Sequence, residues 1–289
     1  MARIGFIGLG NMGGGMAANL AKNGDDVRAF DLSADALAKA KAAGCLPVDS
    51  AAEAADGAEA IVTMLPAGKH VAEVYDALFG VAAPTAILID CSTIDVATAK
   101  QVADAAQAKG LAAVDAPVSG GIGAANAGTL TFMVGGTDAG FERASEVLSR
   151  MGKAVIRAGA GGAGQAAKMC NNMILGATMV ATCEAFALAS KLGLDAQAFY
   201  DIASVSSGQS WSMTSYCPVP GVGPTTPADN DYQGGFAAGL MLKDLRLAAE
   251  ATEQAGATTP MGTRARELYE AFVADGNAAV DFSGIIRTL

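Results

Sequence analysis

Short apolar runs alternate with Ala-rich helical stretches along the first half of the chain. The runs have the length and composition of buried strands, and they are Ile4–Ile7, Val27–Phe30, Ala60–Met64, Ala86–Asp90, Ala112–Val114, Thr131–Val134 and Ala154–Arg157. Strands that alternate with helices in this way are typical of a parallel sheet with helices on both faces. The pattern therefore predicts an α/β domain at the N-terminal end.

Strand signals largely stop after a glycine cluster at residues 159–164, and long helical patterns follow. We therefore predict two domains, an α/β domain over residues 1–162 and an all-helical domain over residues 163–289. From Gln165 to Leu192, apolar residues occupy nearly the whole circumference of the predicted helix, and Gly193 is placed to end it. This pattern predicts a helix that is buried between domains or subunits.

The first predicted strand leads into the turn Gly8-Leu9-Gly10-Asn11-Met12-Gly13, and a helical pattern follows. A G-x-G-x-x-G turn between a strand and a helix is typical of dinucleotide-binding sites. Gly8 permits the tight turn, Gly10 lets backbone N–H groups approach a pyrophosphate, and Gly13 allows the helix to pack closely on the strand. A tight turn that binds nothing is the alternative interpretation.

Asp31 ends the second predicted strand, where a carboxylate can accept hydrogen bonds from both hydroxyls of an adenosine ribose. The same carboxylate would repel the additional 2′-phosphate of NADP. Neither Leu32 nor Ser33 supplies a cation that could bind that phosphate. The sequence therefore favours NAD over NADP as the cofactor.

A glycine-rich segment after the run Ala112–Val114 suits a small carboxylate. Ser119 supplies a hydroxyl donor, and Gly120 and Gly121 can aim successive backbone amides at one point. An ordinary Pro/Gly turn explains the same residues equally well.

Gly164, Lys168 and Asn172 recur every four residues and so share one face of the long predicted helix. Beside a nicotinamide site, a partly buried Lys168 can accept a proton, because burial disfavours the charged form of a lysine. The alternative is a lysine that extends from the first turns of the helix to solvent.

A helical spacing also relates Phe236, Leu240, Lys243, Asp244 and Leu247 near the C-terminal end. On its own it predicts an amphipathic helix in which Lys243 and Asp244 form an ion pair at the surface.

Composition narrows the range of partners. The net charge is -10 and no basic run occurs, so we expect neither nucleic acid nor a membrane surface as a partner. The five cysteines are odd in number and show no C-x-x-C spacing, which disfavours disulfides and a metal site. These features favour a cytoplasmic protein.

Together these motifs resemble the β-hydroxyacid dehydrogenase family over essentially the whole chain. The resemblance implies an NAD-dependent oxidoreductase with a Rossmann-type domain, a helical domain for substrate binding and oligomerisation, and an active site in the cleft between them. It also implies a homodimer or homotetramer.

By position, Lys168 resembles the catalytic lysine of this family and Asn172 resembles a residue of its substrate-binding group, so the predicted catalytic residues are Lys168 and Asn172. The substrate-binding residues that the resemblance and residue type indicate are Ser119, Gly120, Gly121, Trp211 and Phe236. The predicted cofactor-binding residues are Gly8, Leu9, Gly10, Asn11, Met12, Gly13, Asp31, Leu65, Pro66, Thr93 and Lys243.

Three segments are most similar to family members that act on 3-hydroxyisobutyrate, and they are Lys168–Met173, Thr131–Gly136 and Trp211–Gly223. We therefore expect hydride transfer from 3-hydroxyisobutyrate to NAD, giving methylmalonate semialdehyde, with Lys168 as general acid/base. The alternatives are a related enzyme acting on tartronate semialdehyde, serine or 3-hydroxypropionate, and a non-catalytic NAD-binding protein.

Overall fold

Nine strands form one sheet in the computed structural model, which describes residues 1–289. The chain divides into two units, Met1–Lys168 and Met169–Leu289, and the whole sheet belongs to the first unit. The strands are β1 (Arg3–Ile7), β2 (Asp26–Phe30), β3 (Leu46–Pro47), β4 (Ala60–Thr63), β5 (Ile87–Asp90), β6 (Ala112–Asp115), β7 (Val118–Ser119), β8 (Leu130–Gly135) and β9 (Gly152–Gly159).

The strand order is β3-β2-β1-β4-β5-β6-β8-β7, and β9 pairs with β8. Neighbouring strands from β3 to β6 are parallel, whereas β8 runs antiparallel to both β6 and β7. The predicted doubly wound sheet is confirmed, with an antiparallel element that periodicity did not predict. The carboxyl ends of β1, β4 and β5 lie at one edge, where such sheets bind their ligands.

Helices cover both faces of this sheet. They are α1 (Gly13–Lys22), α2 (Ala34–Ala42), α3 (Ala51–Ala55), α4 (Gly68–Leu78), α5 (Val96–Ala108), α6 (Gly121–Ala127) and α7 (Asp138–Leu148). Alternate strand residues enter two separate cores, with Val62 and Ile89 in one and Ile61 and Leu88 in the other. Four of the helices begin at side chains that accept a backbone N–H bond of the first turn, and these are Ser33, Ser50, Asp95 and Thr137.

The second unit contains helices and no strand. Its helices are the greater part of α8 (Ala163–Lys191), α9 (Ala196–Ala203), α10 (Trp211–Thr214), α11 (Ala238–Gln254) and α12 (Pro260–Phe272), with short helical turns at Pro227–Asn230, Val273–Asn277 and Phe282–Thr288. Its larger core contains Met179, Met241, Leu245 and Tyr269. The all-helical C-terminal region is therefore confirmed, while the domain division at residues 162/163 stays a prediction, since the two units divide after Lys168.

The long helix is only partly buried in the single chain, so its predicted burial between domains or subunits stays a prediction. Ile174 and Leu188 on α8 are each 60% exposed, because apolar residues surround this helix and its neighbours cover only part of it. By length and composition α8 could also cross a membrane, although 39% of its most apolar window is buried, and core helices of soluble proteins pass the same test. The helix ends at Lys191, and Gly193 follows with a φ of 77°.

Candidate active site

The glycine-rich turn has the shape that a dinucleotide phosphate requires. Gly8 has a φ of 95°, and a Cβ atom on it would lie 2.3 Å from the carbonyl oxygen of Met64. A Cβ on Gly13, the first residue of α1, would lie 2.0 Å from the carbonyl oxygen of Gly8, whereas no atom lies within 4 Å of a Cβ on Gly10. The turn is therefore closed on the sheet side and open at Gly10, so the residues present fit a bound dinucleotide.

Asp31 is held at this turn by two backbone amides. Its Oδ2 accepts a hydrogen bond from the N–H of Leu9 at 2.6 Å, and its Oδ1 accepts one from Ser33 at 2.7 Å. A carboxylate oxygen can accept more than one bond, so both oxygens retain capacity for ribose hydroxyls. Leu32 beside it is exposed. The Asp31 carboxylate, which is predicted to bind the ribose, is therefore held directly against the glycine-rich turn.

The loops after β4 and β5 carry Leu65, Pro66 and Thr93, and a buried carboxylate ties the two loops together. Asp90 Oδ1 accepts bonds from the hydroxyls of Thr63 at 2.8 Å and Ser92 at 2.6 Å, and the Ser92 hydroxyl accepts the N–H of Leu65 at 2.8 Å. Burial raises the pKa of Asp90 to about 6 against the lowering effect of these bonds. The sequence predicted cofactor-binding residues in the two loops but gave no role to Asp90, which ends a predicted buried strand.

The first turn of α8 is bonded to the edge of the sheet. Asp115, at the end of β6, accepts the N–H of Gly162 at 2.7 Å with Oδ1 and that of Gln165 at 2.9 Å with Oδ2. Burial raises the pKa of this carboxyl, while the backbone bonds oppose the shift. A Cβ on Gly164 would lie 2.2 Å from the carbonyl oxygen of Met133, so only glycine permits this close packing.

Lys168 lies one turn further along α8 and is 8% exposed. The expectation of a desolvated lysine is therefore met, and the alternative of a side chain extended into solvent does not fit this burial in the single chain. Asn172 follows one turn later on the same face and is also buried.

Asn172 is fixed by α11. Its Nδ2 donates to Asp244 Oδ2 at 2.5 Å, and its Oδ1 accepts a bond from Asn171 at 2.9 Å. Asp244 does not lie at the surface, contrary to the interpretation of Lys243 and Asp244 as a surface pair, because it is buried and bonded to Asn172, while Lys243 is partly buried. The Lys-Asp dipeptide was the available sequence signal, but nothing in it indicated which partner Asp244 would have.

The segment Ser119–Gly121 joins β7 to α6. Gly120 and Gly121 have φ values of 134° and 70°, which L side chains rarely adopt. A Cβ on Gly120 would also lie 2.6 Å from that of Ala124. Ser119 is partly exposed at the end of β7. Two glycines with positive φ therefore follow a hydroxyl donor, and the carboxylate site itself stays a prediction.

Trp211 and Phe236 belong to one row of aromatic rings in the second unit. Trp211 stacks on Tyr216 with centroids 4.9 Å apart, Tyr216 contacts Phe282 at 5.4 Å, and Phe282 contacts Phe236 at 5.8 Å. Phe236 precedes α11 and is not part of that helix, contrary to the helical spacing predicted for it, because its backbone N–H bonds to Asp281 instead.

Asp281 organises this aromatic row and was not predicted. It is fully buried and accepts bonds from Tyr216 Oη at 2.8 Å, the N–H of Phe236 at 2.7 Å and the hydroxyl of Ser283 at 2.5 Å. Burial raises the pKa of Asp281, and the bonds from Ser283, Phe236 and Tyr216 oppose this. No sequence signal linked Asp281 to Tyr216, since they lie far apart in the chain.

A mainly parallel sheet, a glycine-rich turn after β1 and a carboxylate after β2 define a dinucleotide-binding fold of the Rossmann type. Residues 3–161 match the family model for the NAD binding domain of 6-phosphogluconate dehydrogenase. Residues 162–289 match the model for the NAD-binding of NADP-dependent 3-hydroxyisobutyrate dehydrogenase.

Relatives match over nearly the full length. The 3-hydroxyisobutyrate dehydrogenase of Pseudomonas aeruginosa is 49% identical, with 99% of this chain and 97% of the relative covered. The NAD-dependent L-serine dehydrogenase of the same organism is 46% identical, with 98% and 96% covered. The solved structure of the 3-hydroxyisobutyrate dehydrogenase of Mycobacterium tuberculosis with L-serine has a TM-score of 0.95 at 46% identity, with 100% of this chain and 99% of that chain covered.

The chain therefore belongs to the β-hydroxyacid dehydrogenase family, and within it to the group of the 3-hydroxyisobutyrate dehydrogenases. The predictions of an NAD-dependent enzyme and of NAD as its cofactor are confirmed.

Proposed function

We propose that the protein oxidises 3-hydroxyisobutyrate to methylmalonate semialdehyde with NAD as the oxidant. The observation that carries this proposal is the buried Lys168 on a helix whose first turn is bonded to the carboxyl edge of the sheet. An amine in that position is shielded from water and can accept a proton from a substrate alcohol. Bound NAD supplies the acceptor for the hydride that leaves the same carbon.

Each remaining site residue has a role in holding the substrate. The Ser119 hydroxyl and the amides of Gly120 and Gly121 bind the carboxylate. Asn172, which Asp244 holds in place, orients the reacting oxygen or the lysine amine. Trp211 and Phe236 form the apolar wall around the methyl branch.

On the cofactor side, the turn Gly8–Gly13 binds the pyrophosphate and Asp31 binds the adenosine ribose. Leu65, Pro66 and Thr93 line the cofactor cleft, and Lys243 lies at its nicotinamide end. Asp31 selects NAD over NADP, because its carboxylate repels a 2′-phosphate and the exposed Leu32 beside it carries no charge.

L-Serine is the second candidate substrate. A relative named for L-serine oxidation is 46% identical, and a solved relative holds L-serine. Serine carries an ammonium group where 3-hydroxyisobutyrate carries a methyl group. The rings of Trp211 and Phe236 favour the methyl group, because burying an ammonium group without an anionic partner is costly.

NADH formation with four compounds tests the assignment: 3-hydroxyisobutyrate, L-serine, glycerate and 3-hydroxypropionate. We expect the highest kcat/KM for 3-hydroxyisobutyrate, by about tenfold or more over 3-hydroxypropionate, which lacks only the methyl branch. A higher kcat/KM for L-serine would make serine oxidation the function. No NADH from any of the four would contradict the proposed activity.

We also propose that the protein is a cytoplasmic homodimer or homotetramer. The exposed apolar side chains of α8, among them Ile174 and Leu188, support an interface between copies. All five cysteines are free thiols, which suits a reducing compartment. Light scattering during size exclusion tests the assembly, and a monomer at micromolar concentration contradicts it.

A further inference from the structure

The fully buried side chain of Gln165 bonds to the backbone on both sides of Thr93. Its Nε2 donates to the carbonyl oxygen of Ser92 at 2.8 Å, and its Oε1 accepts the N–H of Ile94 at 3.1 Å. Only a neutral side chain with one donor and one acceptor at this spacing satisfies both backbone groups. The loop after β5 is thereby joined to the first turn of α8.

Gln165 is also fixed at its own backbone, where the N–H bonds to Asp115. Lys168 follows three residues later, about 4.5 Å further along the helix axis. The same loop is bonded through Ser92 to Asp90 and to the N–H of Leu65. One chain of bonds therefore connects the loops of Leu65 and Thr93, expected in the cofactor cleft, to the turn that precedes Lys168.

We propose that Gln165 is a positioning residue, whose amide fixes the distance between Lys168 and the loops of the cofactor cleft. This inference rests on the proposed function, since it assigns Lys168 to proton transfer. A misplacement of the amine by a fraction of an ångström lowers turnover while the substrate and NAD still bind.

Gln165→Glu gives a variant whose bonding changes with pH. A neutral glutamic acid has an O–H donor for Ser92 and a carbonyl acceptor for Ile94, so it reproduces both bonds. An ionised glutamate has no donor and places an acceptor against the Ser92 carbonyl. Because the site is buried, the charged form is disfavoured and ionises at a higher pH than an exposed glutamate.

Asp115 accepts the N–H of Gln165, and Asp90 is bonded to Ser92, whose carbonyl accepts the Gln165 amide. Tyr75 and Cys91 interact with Asp90, and Lys168 follows one turn further along α8. All of them are present in the parent protein as well. The ratio of the variant to the parent at each pH therefore isolates the added carboxyl. Gln165→Met removes both bonds at every pH with little change in volume, and Gln254→Glu makes the same charge change at an exposed position at the end of α11.

The measurements are kcat and KM with 3-hydroxyisobutyrate, the dissociation constant of NAD without substrate, and unfolding of the cofactor-free protein. We expect the kcat of Gln165→Glu, relative to the parent, to fall about tenfold between pH 6 and pH 8.5, with KM for the hydroxy acid changing less. The unfolding midpoint should fall over the same interval. Gln165→Met should lower kcat about tenfold at every pH, and Gln254→Glu should match the parent.

A parent-like kcat in Gln165→Met and in Gln165→Glu at pH 8.5, with the protein folded, would overturn the inference. So would a loss confined to the unfolding midpoints, which would make Gln165 structural only. If the parent forms no NADH, the proposed function fails instead, while NAD affinity and the pH-dependent unfolding of Gln165→Glu still report on the bonds between the helix and the loop.

Discussion

The two units carry their predicted site residues by different means. In the first unit the predicted ligand-binding groups are mostly backbone amides and strand ends, at the turn Gly8–Gly13, at Gly120 and Gly121, and in the loops bonded through Asp90, together with the side chains of Asp31, Ser119 and Lys168. In the second unit they are the side chains of an aromatic row, whose rings are held by the buried Asp281. Backbone groups recognise what all dinucleotides share, whereas side chains can distinguish one hydroxy acid from another.

This difference has an energetic counterpart. Both units bury carboxylates whose pKa values are raised by desolvation, namely Asp90 and Asp115 in the first and Asp281 in the second. Each one accepts several hydrogen bonds from groups close to the site. Burying these carboxyls lowers the stability of the folded protein, while their hydrogen bonds hold the surrounding groups in place. Substitutions in each unit can test the two effects separately.

The largest effect is expected at Lys168, the proposed proton acceptor in the first unit. Lys168→Ala should lower kcat about 1000-fold, because no group remains to accept the alcohol proton, while the dissociation constant of NAD stays within about twofold. Lys191→Ala removes an exposed lysine from the same helix and should match the parent. Near-normal turnover in Lys168→Ala would remove this residue from the chemistry.

The next effect concerns stability and its dependence on pH. Burial raises the pKa of Asp90 from 3.8 to about 6, so between these values the folded protein binds a proton that the unfolded chain does not. The parent should therefore lose about 3 kcal/mol of stability as pH rises from about 4 to about 6, relative to Asp90→Asn, which does not titrate.

Urea unfolding of both proteins at several pH values measures this difference. The free energy of unfolding of Asp90→Asn should increase relative to that of the parent as pH rises to about 6, and the difference should stay constant above that pH. The exposed Asp104→Asn on α5 is the matched control and should show no such gain. A constant difference between Asp90→Asn and the parent would mean that this carboxyl is not desolvated as the structure indicates.

The preference for NAD over NADP should change by less than the two preceding effects. Asp31→Ala combined with Leu32→Arg removes a charge that repels a 2′-phosphate and adds one that binds it. The ratio of kcat/KM for NADP to that for NAD should rise about 30-fold. Asp35→Ala, at an exposed position of α2, is the control. A parent protein that already prefers NADP would contradict the role given to Asp31.

The smallest effect tests the second unit. Tyr216→Phe keeps the ring stacked on Trp211 but removes the bond to Asp281. We expect KM for 3-hydroxyisobutyrate to rise about fivefold with NAD affinity unchanged, since one hydrogen bond contributes about 1 kcal/mol. An equal loss of NAD affinity would show that the two units do not divide recognition in this way.

The sequence predicted the first unit better than the second for a physical reason. Gly8, Gly13 and Asp31 belong to one local strand-turn-helix unit, so a motif records their geometry. Asp281 and Tyr216 meet only after the helical unit has folded, and no local pattern records their contact. Gln165 shows the same limit within the first unit, because its partners Ser92 and Ile94 lie about 70 residues away in the chain.

The central claim is that hydride leaves the hydroxymethyl carbon of 3-hydroxyisobutyrate for NAD. Mass spectrometry of the NADH formed from substrate that carries deuterium on that carbon tests it most directly. We expect deuterium in the NADH and a slower turnover than with unlabelled substrate. Unlabelled NADH, or no NADH at all, would contradict the claim.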